Sequence, residues 1–208
     1  MISDFNSKLD KMIPNPKCEL NYNRDYELLI ATVLSAQCTD KRVNEVTSVL
    51  FSNYDIYGLS KAKKSDVEKI IRSVGTSSRK SDFVIKIAQS LVENYNGVVP
   101  NNRNYLESLP GVGRKTCNVV LSNLFNVPAI AVDTHVERVS KRLGIAKRLD
   151  NVLTVEKKLM KKIPEELWSR SHHQLVLFGR YICKAKKPEC EQCSFYEDCK
   201  SKEKKKFN

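Results

Sequence analysis

Apolar residues recur at helical spacing along almost the whole chain. Val84, Ile87, Ala88, Leu91, Val92 and Tyr95 follow an i, i+3, i+4 rhythm, which gathers them on one face of an amphipathic helix. Shorter stripes join Tyr26, Ile30, Val33, Leu34 and Gln37; Val67, Ile70, Ile71 and Val74; and Cys117, Val120, Leu121 and Leu124. Further helices are expected at about 4–13, 40–51, 134–143, 153–162 and 165–183, with Gly144 capping the helix that ends at Leu143. The best strand signal is Val127–Val132 (VPAIAV), a short apolar stretch with a proline at its second position. It reads equally well as an extended connector. The pattern predicts an all-α protein without internal repeats.

Composition sharpens this. At 208 residues and 41% hydrophobic, the chain can bury a sizeable core as one large domain or two small ones. Seven glycines and seven prolines are too few for a linker-rich or disordered chain. Lys and Arg number 36 against 24 Asp and Glu, a formal charge of +12. Such an excess points to a polyanionic partner, of which nucleic acid is the usual one. A membrane is disfavoured: there is no long basic amphipathic helix, and no apolar run approaches the ~20 residues of a span. The segment MISDFNSKLDKMIPN carries an early acid and no apolar block, so no signal peptide is expected and the protein is placed inside the cell. The run Lys200–Lys206 reads as a solvated end or as a phosphate-contacting tail.

Candidate chemistry starts at residues 109–117, Leu-Pro-Gly-Val-Gly-Arg-Lys-Thr-Cys. A helical pattern precedes them and a stronger one, Arg114–Phe125, follows. Pro110 ends the first helix, while Gly111 and Gly113 allow positive φ and leave no side chain in the way. Backbone N–H groups at the start of the second helix then face outward, where the helix dipole favours an anion such as a DNA phosphate. An ordinary tight turn is the alternative. The cysteines are seven: Cys18, Cys38, Cys117, Cys183, Cys190, Cys193 and Cys199. The last four, spaced C-x6-C-x2-C-x5-C, suit a metal site better than disulfides in a reducing compartment. They could hold zinc or an iron–sulfur cluster, and spacing alone does not decide between them.

LPGVGRKT resembles the helix-hairpin-helix of the endonuclease III family of DNA glycosylases. Residues 28–40, LLIATVLSAQCTD, are similar to that family's LLSAQ-x-TD stretch, and residues 131–135, AVDTH, to its VDTH segment. The resemblance covers nearly the whole chain, in the family's order. It implies a two-lobed all-α fold: a six-helix barrel over 22–128, and an iron–sulfur domain from 1–21 and 129–208. It also implies a monomeric, bifunctional DNA N-glycosylase and AP lyase of base excision repair. The partner would be double-stranded DNA with damaged bases, oxidised pyrimidines among them, or abasic sites.

In that chemistry the damaged nucleotide is flipped out of the duplex. Lys115 attacks the sugar carbon that bears the base, and the resulting Schiff base permits β-elimination and 3′ cleavage. A nucleophilic lysine must lose its proton; the helix N-terminus, adjacent Arg114 and partial burial are each expected to help. A phosphate-binding lysine is the plainer alternative. Asp133 matches the family's catalytic aspartate, able to stabilise positive charge on the sugar. Thr134 and Glu137 have the spacing of a capping box, which would leave Asp133 one residue ahead of the cap. The family's loop implies a [4Fe–4S] cluster on Cys183, Cys190, Cys193 and Cys199. Gly111, Val112, Gly113, Arg114, Lys184, Lys186 and Lys187 are then expected against the DNA, and Gln37 in the gap left by the flipped base.

One segment departs from the family. Where relatives resemble IGLYNSKA, this chain has Val74-Gly75-Thr76-Ser77-Ser78-Arg79-Lys80-Ser81. Thr76 stands in place of the leucine wedge, and a small polar side chain inserts poorly into a base stack. Two competitors fare worse. An adenine-removing monofunctional relative would carry an acid in the second helix, and residues 28–39 hold none. A non-catalytic iron–sulfur DNA-binding protein would not need Lys115 together with Asp133.

Overall fold

The computed structural model describes residues 4–202 and 204, and among them the regular elements are helical throughout. Glu203, Lys205 and Lys206 of the basic run lie outside the described residues. In chain order the helices are α1 (Phe5–Met12), α2 (Asp25–Leu34), α3 (Asp40–Asn53), α4 (Ile56–Lys61), α5 (Lys64–Ile71) and α6 (Ser77–Tyr95). They continue with α7 (Arg103–Ser108), α8 (Arg114–Phe125), α9 (Thr134–Arg142), α10 (Val152–Lys162) and α11 (Trp168–Leu177). The chain splits into two compact units: Cys18–Phe125, and Met1–Lys17 with Asn126–Asn208.

In the first of these, α2 is the central helix. Every residue from Tyr26 to Leu34 is buried, and α2 packs against α3, α6 and α8. Short polar side chains set the helix starts around it. Thr39, Asp55 and Asn102 accept the N–H groups of Arg42, Gly58 and Tyr105, using donors that a helix start otherwise leaves unpaired. The apolar stripe of α2 stops at Leu34. Gln37, expected to share it, lies beyond the helix in an exposed turn with φ 57°.

The second unit closes around Phe5, Leu9, Ile130, Val132, Val136, Val139, Leu159 and Phe178. Phe195 completes it, with ring centroids 5.5 Å from both Phe5 and Phe178. Residues 127–132 form no strand; they are an extended connector that buries Ile130 and Val132. The helix predicted over 165–183 is subdivided: a 3-10 turn at Glu165–Leu167, then α11, then a wider π turn at Phe178–Ile182. Gly179 sits in that π turn because a Cβ there would come within 2.9 Å of His135 Cβ. Gly144 closes α9 as expected, with φ 72° and its N–H on Lys141 O at 3.1 Å.

Candidate active site and cysteine loop

The hairpin between α7 and α8 treats its two glycines differently. Gly111 has φ 80°, and a Cβ on it would lie 2.6 Å from the Phe83 ring and 3.1 Å from Val33. Only glycine fits both demands. Gly113 has no positive φ, and a Cβ there would meet nothing within 4 Å. Its carbonyl accepts the Cys117 N–H at 2.9 Å and so opens α8, while its outer side stays clear for an approaching group. Val112, between them, points inward: it is buried and gives its N–H to Leu109 O at 3.1 Å. Its side chain is a core contact.

Helix α8 buries Thr116 to Ser122 and turns Arg114 and Lys115 outward. Lys115 is exposed, against the partial burial expected from the sequence. The first turn of α8 thus presents a lysine, an arginine and the positive end of the helix dipole on one open surface.

Asp133 departs from the predicted arrangement in an informative way. It is itself the N-cap of α9, where Thr134 was expected to be. One oxygen, Oδ1, accepts the N–H groups of His135 and Val136, both at 2.8 Å. Glu137 does not close a capping box; its carboxylate takes the Lys141 ammonium at 2.6 Å. A charged acceptor makes a stronger cap than a hydroxyl, and the short aspartate arm reaches two donors at once. Oδ2 accepts no hydrogen bond among the described residues, and Asp133 is half-buried. Its carboxylate is held by one oxygen and available through the other.

The four C-terminal cysteines carry free thiols and line a single pocket of about 410 Å³ empty volume. Leu143, Phe178, Ile182, Pro188 and Tyr196 supply apolar walls. Burial pushes the Cys183 thiol up and that of Cys193 up to about 11. Two arginines that sequence reasoning missed hold the loop to α9. Arg138 donates to Gly179 O at 2.7 Å and to Cys183 O at 3.2 Å. Arg142 donates to Cys183 O, Lys184 O and Ala185 O at 3.2, 2.6 and 3.1 Å. Both lie on α9 one turn apart. Of the lysines expected to meet phosphate, Lys184 is engaged with Glu189 at 2.8 Å, whereas Lys186 and Lys187 are exposed.

Gln37 and Thr76 occupy exposed turns of the Cys18–Phe125 unit, and both have left-handed backbone, φ 57° and 45°. Such angles are uncommon outside glycine and strained for a β-branched threonine. No helix among the described residues is long and apolar enough to cross a membrane.

Comparison with known proteins bears on the family and the fold. The family model for HhH-GPD superfamily base excision DNA repair proteins matches residues 30–165. Endonuclease III of Bacillus subtilis (strain 168) is 48% identical over 202 residues, covering 95% of this chain and 91% of the relative. Endonuclease III of Escherichia coli (strain K12) is 43% identical over 199 residues, covering 95% and 94%. A solved structure of a trapped endonuclease III–DNA covalent intermediate, an estranged-adenine complex, superposes with a TM-score of 0.89 at 51% identity. It covers 93% of this chain and 92% of that one.

Proposed function

The chain belongs to the endonuclease III family of HhH-GPD base excision DNA repair proteins, as a DNA glycosylase and AP lyase, and we propose that Lys115 is its nucleophile. The observation that carries this is the position of Lys115: exposed, in the first turn of α8, directly after a hairpin whose Gly111 admits no other residue. The relative solved as a covalent intermediate with DNA supports a covalent route.

In that route the Lys115 amine attacks C1′ of a flipped oxidised pyrimidine nucleotide, and the C1′–base bond breaks with its electrons leaving on the base. The sugar ring then opens to an imine between Lys115 and C1′. Loss of a proton from C2′ expels the 3′ phosphate, and water releases the lysine. Asp133 would meet the positive charge that grows on the sugar with the oxygen its cap leaves free. Gly113 and the first turn of α8 receive a backbone phosphate, with Arg114, Lys186 and Lys187 as further cationic contacts. The family relation supports duplex DNA with a damaged base or abasic site as the substrate.

Cys183, Cys190, Cys193 and Cys199 would hold a [4Fe–4S] cluster. The donor set fits: four free thiols line one pocket whose other walls are largely apolar. The family relation supports iron–sulfur over zinc for this set. Such a cluster supplies metal–thiolate bonds that cross-link the loop. The function is tested on duplexes with one oxidised pyrimidine or one abasic site. Cleavage leaving an unsaturated aldehyde at the 3′ end is expected, and Lys115→Ala should abolish it. Base release without strand cleavage would contradict the lyase half.

A further inference from the structure

Lys80 is only 4% exposed. Its ammonium donates to three backbone carbonyls: Leu34 O at 2.9 Å, Ala36 O at 2.8 Å and Val74 O at 2.8 Å. An ammonium has three N–H donors, so each is used. Burial pushes the Lys80 pKa below the ordinary lysine value.

The choice of acceptors is what matters. Leu34 ends α2, and Ala36 immediately precedes Gln37. Val74 immediately precedes Gly75 and Thr76. One nitrogen therefore grips the backbone just ahead of each exposed left-handed turn, 44 and 6 residues away in sequence. Strained backbone of this kind persists only where its surroundings over-determine it. Lys80 also stands four residues before Val84, in register with the apolar stripe of α6. An apolar side chain there would continue the core, and a buried ion is a costly substitute if stability is its only purpose.

We propose that Lys80 is a positioning residue for strand separation. By tying the two turns to one nitrogen it fixes their spacing, so that Gln37 and Thr76 enter the duplex together at the flipped nucleotide. This rests on the glycosylase function proposed above. It also answers the departure at Thr76: a small polar wedge inserts poorly, but a wedge on a pre-ordered backbone spends no binding energy on ordering the loop.

The test uses Lys80→Met and Lys80→Gln in the full chain, with unfolding followed by circular dichroism. A duplex carrying a reduced abasic analogue opposite 2-aminopurine reports unstacking as a fluorescence rise at saturating protein. Excision of an oxidised pyrimidine is measured beside it. Folded Lys80→Met should lose most of the rise, and its excision should fall at least about tenfold, within what an ångström of misplacement costs. Lys80→Gln, which keeps two donors, should recover part of both. An unchanged rise and unchanged excision per folded molecule would overturn the proposal. So would failure of both variants to fold, since Lys80 would then hold the domain rather than its turns. An intact protein that releases no base and cleaves no abasic site would instead refute the glycosylase activity itself.

Discussion

The guanidinium of Arg142 donates to the carbonyl oxygen of Cys183 at 3.2 Å and reaches its Sγ at 3.5 Å. The backbone carbonyl of Arg142 accepts the Lys200 N–H at 3.2 Å and has Cys199 Sγ at 3.8 Å. One residue thus holds the first and last cysteines of the loop. It also ends the helix that Asp133 begins, so α9 joins the candidate carboxylate to the cysteine loop. Arg142→Met keeps the side chain's bulk and removes its donors. Partners of this outer kind are worth about 10- to 100-fold in metal affinity. Iron retention against a chelator, followed by visible absorbance, should fall by about that much at the low end, with helix content retained.

Asp133 separates into two roles under substitution. Asp133→Asn keeps a side-chain oxygen for the caps and removes the charge. Stability should change by less than about 0.5 kcal/mol, since Asn and Asp cap equally well, while base excision falls by about 10² or more. Asp133→Ala removes the cap as well and should cost a further ~1 kcal/mol of stability. Denaturant unfolding and single-turnover excision on the same preparations distinguish the two.

The hairpin glycines predict opposite phenotypes. Gly111→Ala places a methyl at positive φ and against the Phe83 ring, so it should destabilise by more than about 1 kcal/mol. Gly113→Ala meets no neighbour and keeps ordinary φ. Its stability should stay within about 0.5 kcal/mol of the parent, while affinity for abasic-analogue DNA weakens because the methyl crowds the phosphate approach. Thermal unfolding and equilibrium binding read the two effects separately.

The lysines of the cysteine loop should differ in their effect on salt dependence. Lys186→Ala and Lys187→Ala should each reduce the slope of log K against log salt by about 0.9, one phosphate contact apiece. Lys184→Ala should change it less, because Glu189 already engages that ammonium. Binding to a non-cleavable duplex over a range of salt concentrations checks this.

The longer helices were legible because their periodicity is strong; α4 was not, since a helix of 6 residues started by the local Asp55 cap carries too short a stripe. The extended 127–132 segment was legible as a choice between two conformations, and burial without a strand partner settled it. Gln37 was misplaced because apolar spacing continued past the point where the backbone turns. The N-cap of α9 was assigned to Thr134 because T-x-x-E is a valid pattern; the pairing of Glu137 with Lys141 and the charge on Asp133 decided otherwise. Lys80, Arg138 and Arg142 went unnoticed because their partners are backbone carbonyls, which have no sequence signature. Those of Lys80 at Leu34 and Ala36, and those of the two arginines at Gly179, Cys183, Lys184 and Ala185, lie more than forty residues away. Lys115 was singled out by its motif, while its exposure required the way α8 turns to be seen.

The nucleophile is tested most directly by borohydride reduction during reaction with a duplex holding one abasic site. The imine between Lys115 and C1′ should be reduced to a stable amine, giving a covalent protein–DNA adduct whose peptide map carries the added mass on Lys115. Lys115→Ala should bind the duplex and give no adduct. An adduct of undiminished yield in Lys115→Ala, or tight binding by the intact protein with no adduct, would contradict Lys115 as the nucleophile.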